Sequence, residues 1–146
     1  MKTTASRNGF TLVELMIVVV IIGVLASIAI PNFIAMQRRA KEGGVKTNMH
    51  TVQIAVEDFS VLNDSAYPTG AGSTVPDGRT LQQLCPAGVF PANPFTNAQS
   101  VMVFNTNPTT GNPGELAMNP ALANGYWLKG NGSNGDTLGL ILTTGQ

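Results

Sequence analysis

The sequence predicts an α+β chain in which one long N-terminal helix packs on a small antiparallel sheet of three or four strands. Three observations predict it. An unbroken apolar run extends from Phe10 to Ile30. Beyond it, Val45, Met49, Val52, Val56 and Phe59 recur at steps of four, three, four and three, which keeps one face of a helix apolar. After about residue 62 the chain turns rich in Gly, Pro, Asn, Thr and Ser, with short strand-like runs between turn signals. The expected organisation is a leader at residues 1–9, a membrane-spanning or core helix at 10–30, an amphipathic helix at 31–62, and a loop and sheet domain at 63–146. A length of 146 residues suits one small domain plus one extended element. Charged residues make up 11% of the chain, with eight basic and eight acidic side chains. That balance supplies no electrostatic reason to expect nucleic acid as a partner.

The first nine residues are short, polar and basic, with Lys2 and Arg7. The apolar run that follows has 21 residues. At 1.5 Å per residue it spans about 30 Å, enough to cross a bilayer as a helix. Its β-branched residues are poor helix formers in water, but in lipid every backbone group must be satisfied within the segment. Two readings compete. An ordinary secretory signal peptide would use Ser27-Ile28-Ala29 as a small-x-small cleavage site. The other reading removes only the leader and keeps the apolar helix.

Glu14 decides between them. It stands inside the apolar run, where an ionised carboxylate costs about 2.5–3.5 kcal/mol at a helix centre. A signal peptide gains nothing from that cost. Cleavage after Gly9 would free the α-amine of Phe10, four residues before Glu14, and the two charges attract strongly in a low dielectric. If the amine belongs to a neighbouring subunit, each new subunit is registered against the last. The plainer reading is that Glu14 favours the positive end of the helix and reaches the membrane interface.

Gly9-Phe10-Thr11-Leu12-Val13-Glu14-Leu15, followed by Met16 to Ile30 and Pro31-Asn32-Phe33, resembles the type IV pilin and type II secretion pseudopilin superfamily. The likeness covers roughly residues 7–50. It implies the pilin fold, a prepilin peptidase that cuts between Gly9 and Phe10 and N-methylates Phe10, and a requirement for Glu14 in assembly. It also implies a homopolymer built at the inner membrane by an assembly platform and an ATPase. The subunit would be single-pass before assembly, then part of a periplasmic or cell-surface filament. Orientation comes from the resemblance alone, because basic residues flank both ends of the apolar run: Lys2 and Arg7 before it, Arg38, Arg39, Lys41 and Lys46 after it.

The amphipathic continuation places Lys46, Asn48, His50, Gln53 and Glu57 opposite the apolar stripe, and Asn63-Asp64-Ser65 with Tyr67-Pro68 ends the helix near Leu62. Three places read as soft: Gly23, Pro31 and the pair Gly43-Gly44. The resemblance implies local unwinding between Gly23 and Pro31 in assembled filaments. A simple kink at Pro31 is the alternative.

In the C-terminal part, a helical turn is expected at Leu81–Leu84, and strands at Val101–Phe104, Gly125–Lys129 and Thr137–Thr143. A turn cluster fills 107–114, and Gly130 to Asp136 reads as a hairpin loop. Asn93-Pro94-Phe95-Thr96 with the last hairpin resembles the major pseudopilin group. The single cysteine, Cys85, excludes the C-terminal disulfide loop of many type IV pilins and reads as a small buried hydrophobe. Pili of several bacterial groups lack that loop as well, so both subclasses stay open. Major pseudopilins often carry a calcium site, for which Asn131, Asn134 and Asp136 are the candidates; turn residues chosen for positive φ are the competing explanation. No other cofactor is expected.

No grouping of catalytic type occurs. His50 is the only histidine and sits on the polar helix face, no Gly-rich phosphate loop follows a strand, and no His/Cys cluster has metal spacing. Asn63 and Asn131 each begin an Asn-x-Ser pattern, which matters only where a glycosylation system exists. The function that the resemblance implies is a structural filament subunit, and no enzyme activity is expected. The alternative is a secreted or anchored binding protein whose apolar segment is only a signal peptide or anchor.

Overall fold

The computed structural model describes residues 9–104, 111–122 and 125–144. The expected leader, apart from Gly9, and the first half of the turn cluster at 107–114 lie outside them. The chain divides into two compact units after Gln37. One helix, α1 (Leu12–Leu62), contributes to both. It is followed by a short helix α2 (Leu81–Leu84) and strands β1 (Met102–Phe104), β2 (Leu116–Leu122), β3 (Gly125–Asn131) and β4 (Thr137–Thr143).

In the first unit, α1 is apolar all round, and its apolar side chains are exposed. Its most apolar window, with mean hydropathy 2.9, is 0% buried. Ile17, Ile21, Leu25 and Ile28 point outward like their neighbours, each more than half exposed. A helix apolar on every face is at rest only inside lipid or inside other protein. The helix runs without interruption through Gly23 and Pro31.

The second unit holds the core. Val45, Met49, Val52, Val56 and Phe59 of α1 are at most 1% exposed. They pack with Leu116 and Met118 of β2, Tyr126 and Leu128 of β3, and Leu142 of β4. Val75, Leu81, Cys85 and Phe90 close the core from the long connection between α1 and β1. Full burial of an aliphatic or aromatic side chain contributes about 1.5–3 kcal/mol, so the five-residue stripe alone fixes which helix face meets the sheet. Gly130 lets β3 lie close to the helix: a Cβ there would stand 2.7 Å from Val45 Cγ1 and 3.0 Å from Met49 Sδ. At the end of α1, Asp64 and Ser65 take φ of 49° and 64°, and the Ser65 amide turns back to the Ser60 carbonyl at 2.9 Å. This left-handed step ends the helix without a glycine.

The sheet has four strands in the order β1-β2-β3-β4, and it is mixed rather than antiparallel. β1 runs parallel to β2, with Met102 opposite Leu116 and Phe104 opposite Met118. β2–β3 and β3–β4 are antiparallel. The physical reason is the connection from β1 to β2, which is 11 residues long. That approaches the dozen or so a parallel crossover needs, and greatly exceeds a tight hairpin. β2 itself is not evident from the sequence, since Leu, Ala, Met, Asn and Pro lack strand preference. Pro120 is tolerated because the β2–β3 register shifts between Asn119 and Leu122, and β1 pairs only with Leu116–Met118.

The polar face of α1 also differs from the expected solvated one. Lys46 and His50 are exposed, but Gln53 is buried and donates to the Thr143 carbonyl at 3.3 Å. Glu57 accepts a 2.8 Å hydrogen bond from the buried Tyr126 hydroxyl. Their side chains are long enough to reach the sheet past the apolar stripe. Burial and the neighbouring Glu57 carboxylate push the Tyr126 phenol well above its ordinary pKa.

Candidate processing and assembly segment

Gly9 and Phe10 precede the helix, in no regular structure, and both are exposed. The peptide bond between them is therefore accessible. Thr11 then caps α1, which begins at Leu12. Its carbonyl accepts from the Leu15 amide at 3.2 Å, and its Oγ1 accepts from the Glu14 amide at 3.2 Å. The Glu14 carboxylate reaches back, and Oε2 accepts from the Thr11 amide at 2.8 Å and from Thr11 Oγ1 at 2.7 Å. This is a capping box, in which Thr and Glu three residues apart satisfy each other's backbone donors.

The capping box revises the argument from cost. In the single chain Glu14 has partners before any amine is exposed, so its presence in an apolar run is accounted for locally. Sequence reading missed Thr11, although the Thr-x-x-Glu spacing ahead of an apolar run carries the signal. The box uses one carboxylate oxygen, Oε2, for both donors.

Gly23 and Pro31 sit within continuous helix, and a Cβ at Gly23 would meet nothing within 4 Å. Ser27 Oγ donates to the Val24 carbonyl at 2.7 Å, one turn before the proline. Gly43 and Gly44 separate in role. A Cβ at Gly43 would meet nothing, whereas one at Gly44 would stand 2.9 Å from Pro94 Cγ. Gly44 is therefore a place of close approach for the loop carrying Pro94, not a soft spot. That loop is held by Asn93, whose Oδ1 accepts from the Phe95 amide and whose Nδ2 donates to the Pro113 carbonyl, both at 2.8 Å. Lys41 Nζ lies 5.7 Å from the centre of the Phe95 ring.

The three calcium candidates are not brought together. Asn131 is buried with its Oδ1 unpartnered, while Asn134 and Asp136 are exposed. The latter two line a depression of about 260 Å3 with Glu42 and Ser133, and Asn131 does not line it. Glu42 Oε1 accepts from the Ser133 amide at 3.1 Å and the Ser133 hydroxyl at 2.9 Å. These bonds hold the Glu42 carboxyl below its ordinary pKa. Calcium takes about six to eight oxygens. Glu42, already engaged by Ser133, with Asp136 and Asn134, supplies the carboxylate and amide side chains that line the depression. Among the described residues no three His, Cys, Asp or Glu side chains stand together. Positive φ in this turn is supplied by Gly135 at 80°, not by the asparagines.

His50 is exposed, with Nδ1 3.3 Å from Gln53 Oε1. Cys85 is buried, and its Sγ–H points to the Leu81 carbonyl at 3.7 Å. Burial pushes its thiol up to about 11, which leaves it protonated and unreactive near neutral pH.

Comparison with known proteins bears on the same N-terminal segment. The prokaryotic N-terminal methylation motif matches residues 4–30. A type IV major pilin protein, PilA, of Myxococcus xanthus is 59% identical over 53 residues, which is 36% of this chain and 24% of that protein. The type II secretion system core protein G of Vibrio cholerae is 38% identical over 69 residues, 47% of each chain. Core protein G of Escherichia coli is 36% identical over 69 residues, again 47% of each. The chain thus matches these relatives over half of their length or less. No solved structure matches it.

Proposed function

We propose that the chain is a member of the type IV pilin and type II secretion pseudopilin superfamily and a structural subunit of a type IV filament; the methylation motif at residues 4–30 and the likeness of its N-terminal part to PilA and core protein G support this. A prepilin peptidase cuts between Gly9 and Phe10 and methylates the new amine of Phe10. The apolar half of α1 anchors the subunit in the inner membrane as a single pass and then enters the filament core. An assembly platform and its ATPase drive that transfer. The observation that carries this reading is the apolar first half of α1, exposed on every face directly after an accessible Gly9-Phe10 bond. Export of proteins and the functions of a pilus are both served by such a subunit. No catalytic role is proposed.

Glu14 has the role of registering one subunit against the next. In the single chain its carboxylate is held by Thr11. During assembly the same group pairs with the Phe10 amine of a neighbour, in surroundings where removing one member of an ion pair costs about 3–5 kcal/mol. Glu14→Val in the full chain, expressed with its assembly system, tests this. Membrane retention stays at the wild-type level and filament yield falls by about 10²- to 10⁴-fold, following that cost. Wild-type filament yield would remove Glu14 from assembly.

A further inference from the structure

The charges of the processed chain are segregated. Without Lys2 and Arg7, six basic residues remain, and four of them are Arg38, Arg39, Lys41 and Lys46. Only Glu42 opposes them within that stretch. From residue 47 onward there are six acidic side chains against two basic ones. The net-positive part of the protein is thus a nine-residue collar, and it begins where the apolar part of α1 ends.

Helical geometry gives that position a meaning. From Leu12 to Arg38 the helix rises about 39 Å, close to the 40–45 Å of a bilayer with its headgroups. Arg38, Arg39 and Lys46 are exposed. Arg38 and Lys46 are near enough to Glu42 to favour its ionised form, but that carboxylate is engaged by Ser133. Lys41 is half-buried, with its ammonium over the Phe95 ring, and is set apart from Arg38, Arg39 and Lys46. Arginine and lysine stems can lie along apolar surface with their charges at phosphate level.

We propose that Arg38, Arg39 and Lys46 bind anionic phospholipid headgroups of the leaflet next to the C-terminal domain, in the subunit that has not yet assembled. The inference rests on the membrane-spanning reading of α1. Position favours lipid over a second copy of the chain here, because the collar directly follows, along the same helix, the segment that is long and apolar enough to cross a membrane. Its contribution per basic residue near an anionic surface is about a 5-fold change in binding, or ~1 kcal/mol. Release of these contacts would then be part of leaving the membrane.

The test uses the full chain in nanodiscs of phosphatidylcholine with a minority of phosphatidylglycerol. Lipid retained by the purified protein is measured by mass spectrometry. The wild type enriches phosphatidylglycerol above its share of the bilayer, and high salt weakens the enrichment. Arg38→Gln, Arg39→Gln and Lys46→Gln together bring the ratio to the bulk value, while Arg79→Gln, a remote basic residue, leaves it unchanged. Retention without preference, or preference that survives the triple variant, overturns the inference and leaves the membrane reading intact. Cross-linked dimers in pure phosphatidylcholine that the triple variant abolishes, with no lipid preference, assign the collar to a second copy instead. A chain that does not stay in the disc overturns the membrane reading and this inference with it.

Discussion

The two halves of α1 share one secondary structure and opposite surroundings. In Leu12–Gln37 nearly every side chain is exposed although most are apolar; in Arg38–Leu62 a single stripe of apolar residues is buried to within 1%. The first half has a capping box at its start, and its apolar window is 0% buried among the described residues. The second half is held by β2, β3, β4 and the long connection, and Gln53 and Glu57 tie its polar edge to β3 and β4. Helix formation alone therefore does not distinguish the halves; what covers them does. One half completes a domain, and the other waits for a medium or for neighbours.

That contrast is broken most easily by truncating one side chain in each half. Phe59→Ala opens a cavity in the core and lowers the stability of the C-terminal domain by about 3–5 kcal/mol, measured by denaturant unfolding of the chain in detergent micelles. Val20→Ala, exposed and unpartnered, changes the same midpoint by less than about 0.5 kcal/mol. Equal effects would mean that the first half does pack on the domain.

The adjacent glycines sharpen the comparison within the second half. Gly44→Ala forces Pro94 away and costs about 1–3 kcal/mol. Gly43→Ala meets open space and gains roughly 0.5–1 kcal/mol from helix propensity. Thermal melts of the two variants should shift in opposite directions.

The smallest effect concerns pH. Ser133 lowers the folded-state pKa of Glu42, so this contact stabilises the fold above the carboxyl's ordinary value and is lost as pH falls through the lowered one. Glu42→Gln therefore removes a few tenths of a kcal/mol at neutral pH, because solvent screens the site, and flattens the loss of stability in acid. Chelator should leave the melting midpoint unchanged, since the donors around Asp136 fall short of a calcium shell.

Much of this was legible in the residues. Periodicity marked the buried stripe because only one helix face can be covered by a small sheet, and Asn63-Asp64-Ser65 marked the helix end. Strands β3 and β4 showed their Tyr, Trp, Leu and Ile patterns. β2 did not, because its residues are held by neighbours on both sides rather than by intrinsic preference, and Pro120 argued against it. The parallel β1–β2 pairing was hidden too, as strand direction depends on the length of the connection and not on alternation. Gly44 looked like helix weakness because the partner that explains it, Pro94, lies 50 residues later. At the candidate site Glu14 was found by its anomaly, while Thr11, an ordinary residue for its position, was overlooked.

The central claim is that the exposed half of α1 is kept and that its free start is made by cleavage after Gly9. The intact mass of the mature protein from a host with the processing machinery tests it directly. The account predicts a chain beginning at Phe10 with one methyl group on its amine. A chain beginning at Ile30 would show that the apolar helix is discarded as a signal peptide, and would contradict the account.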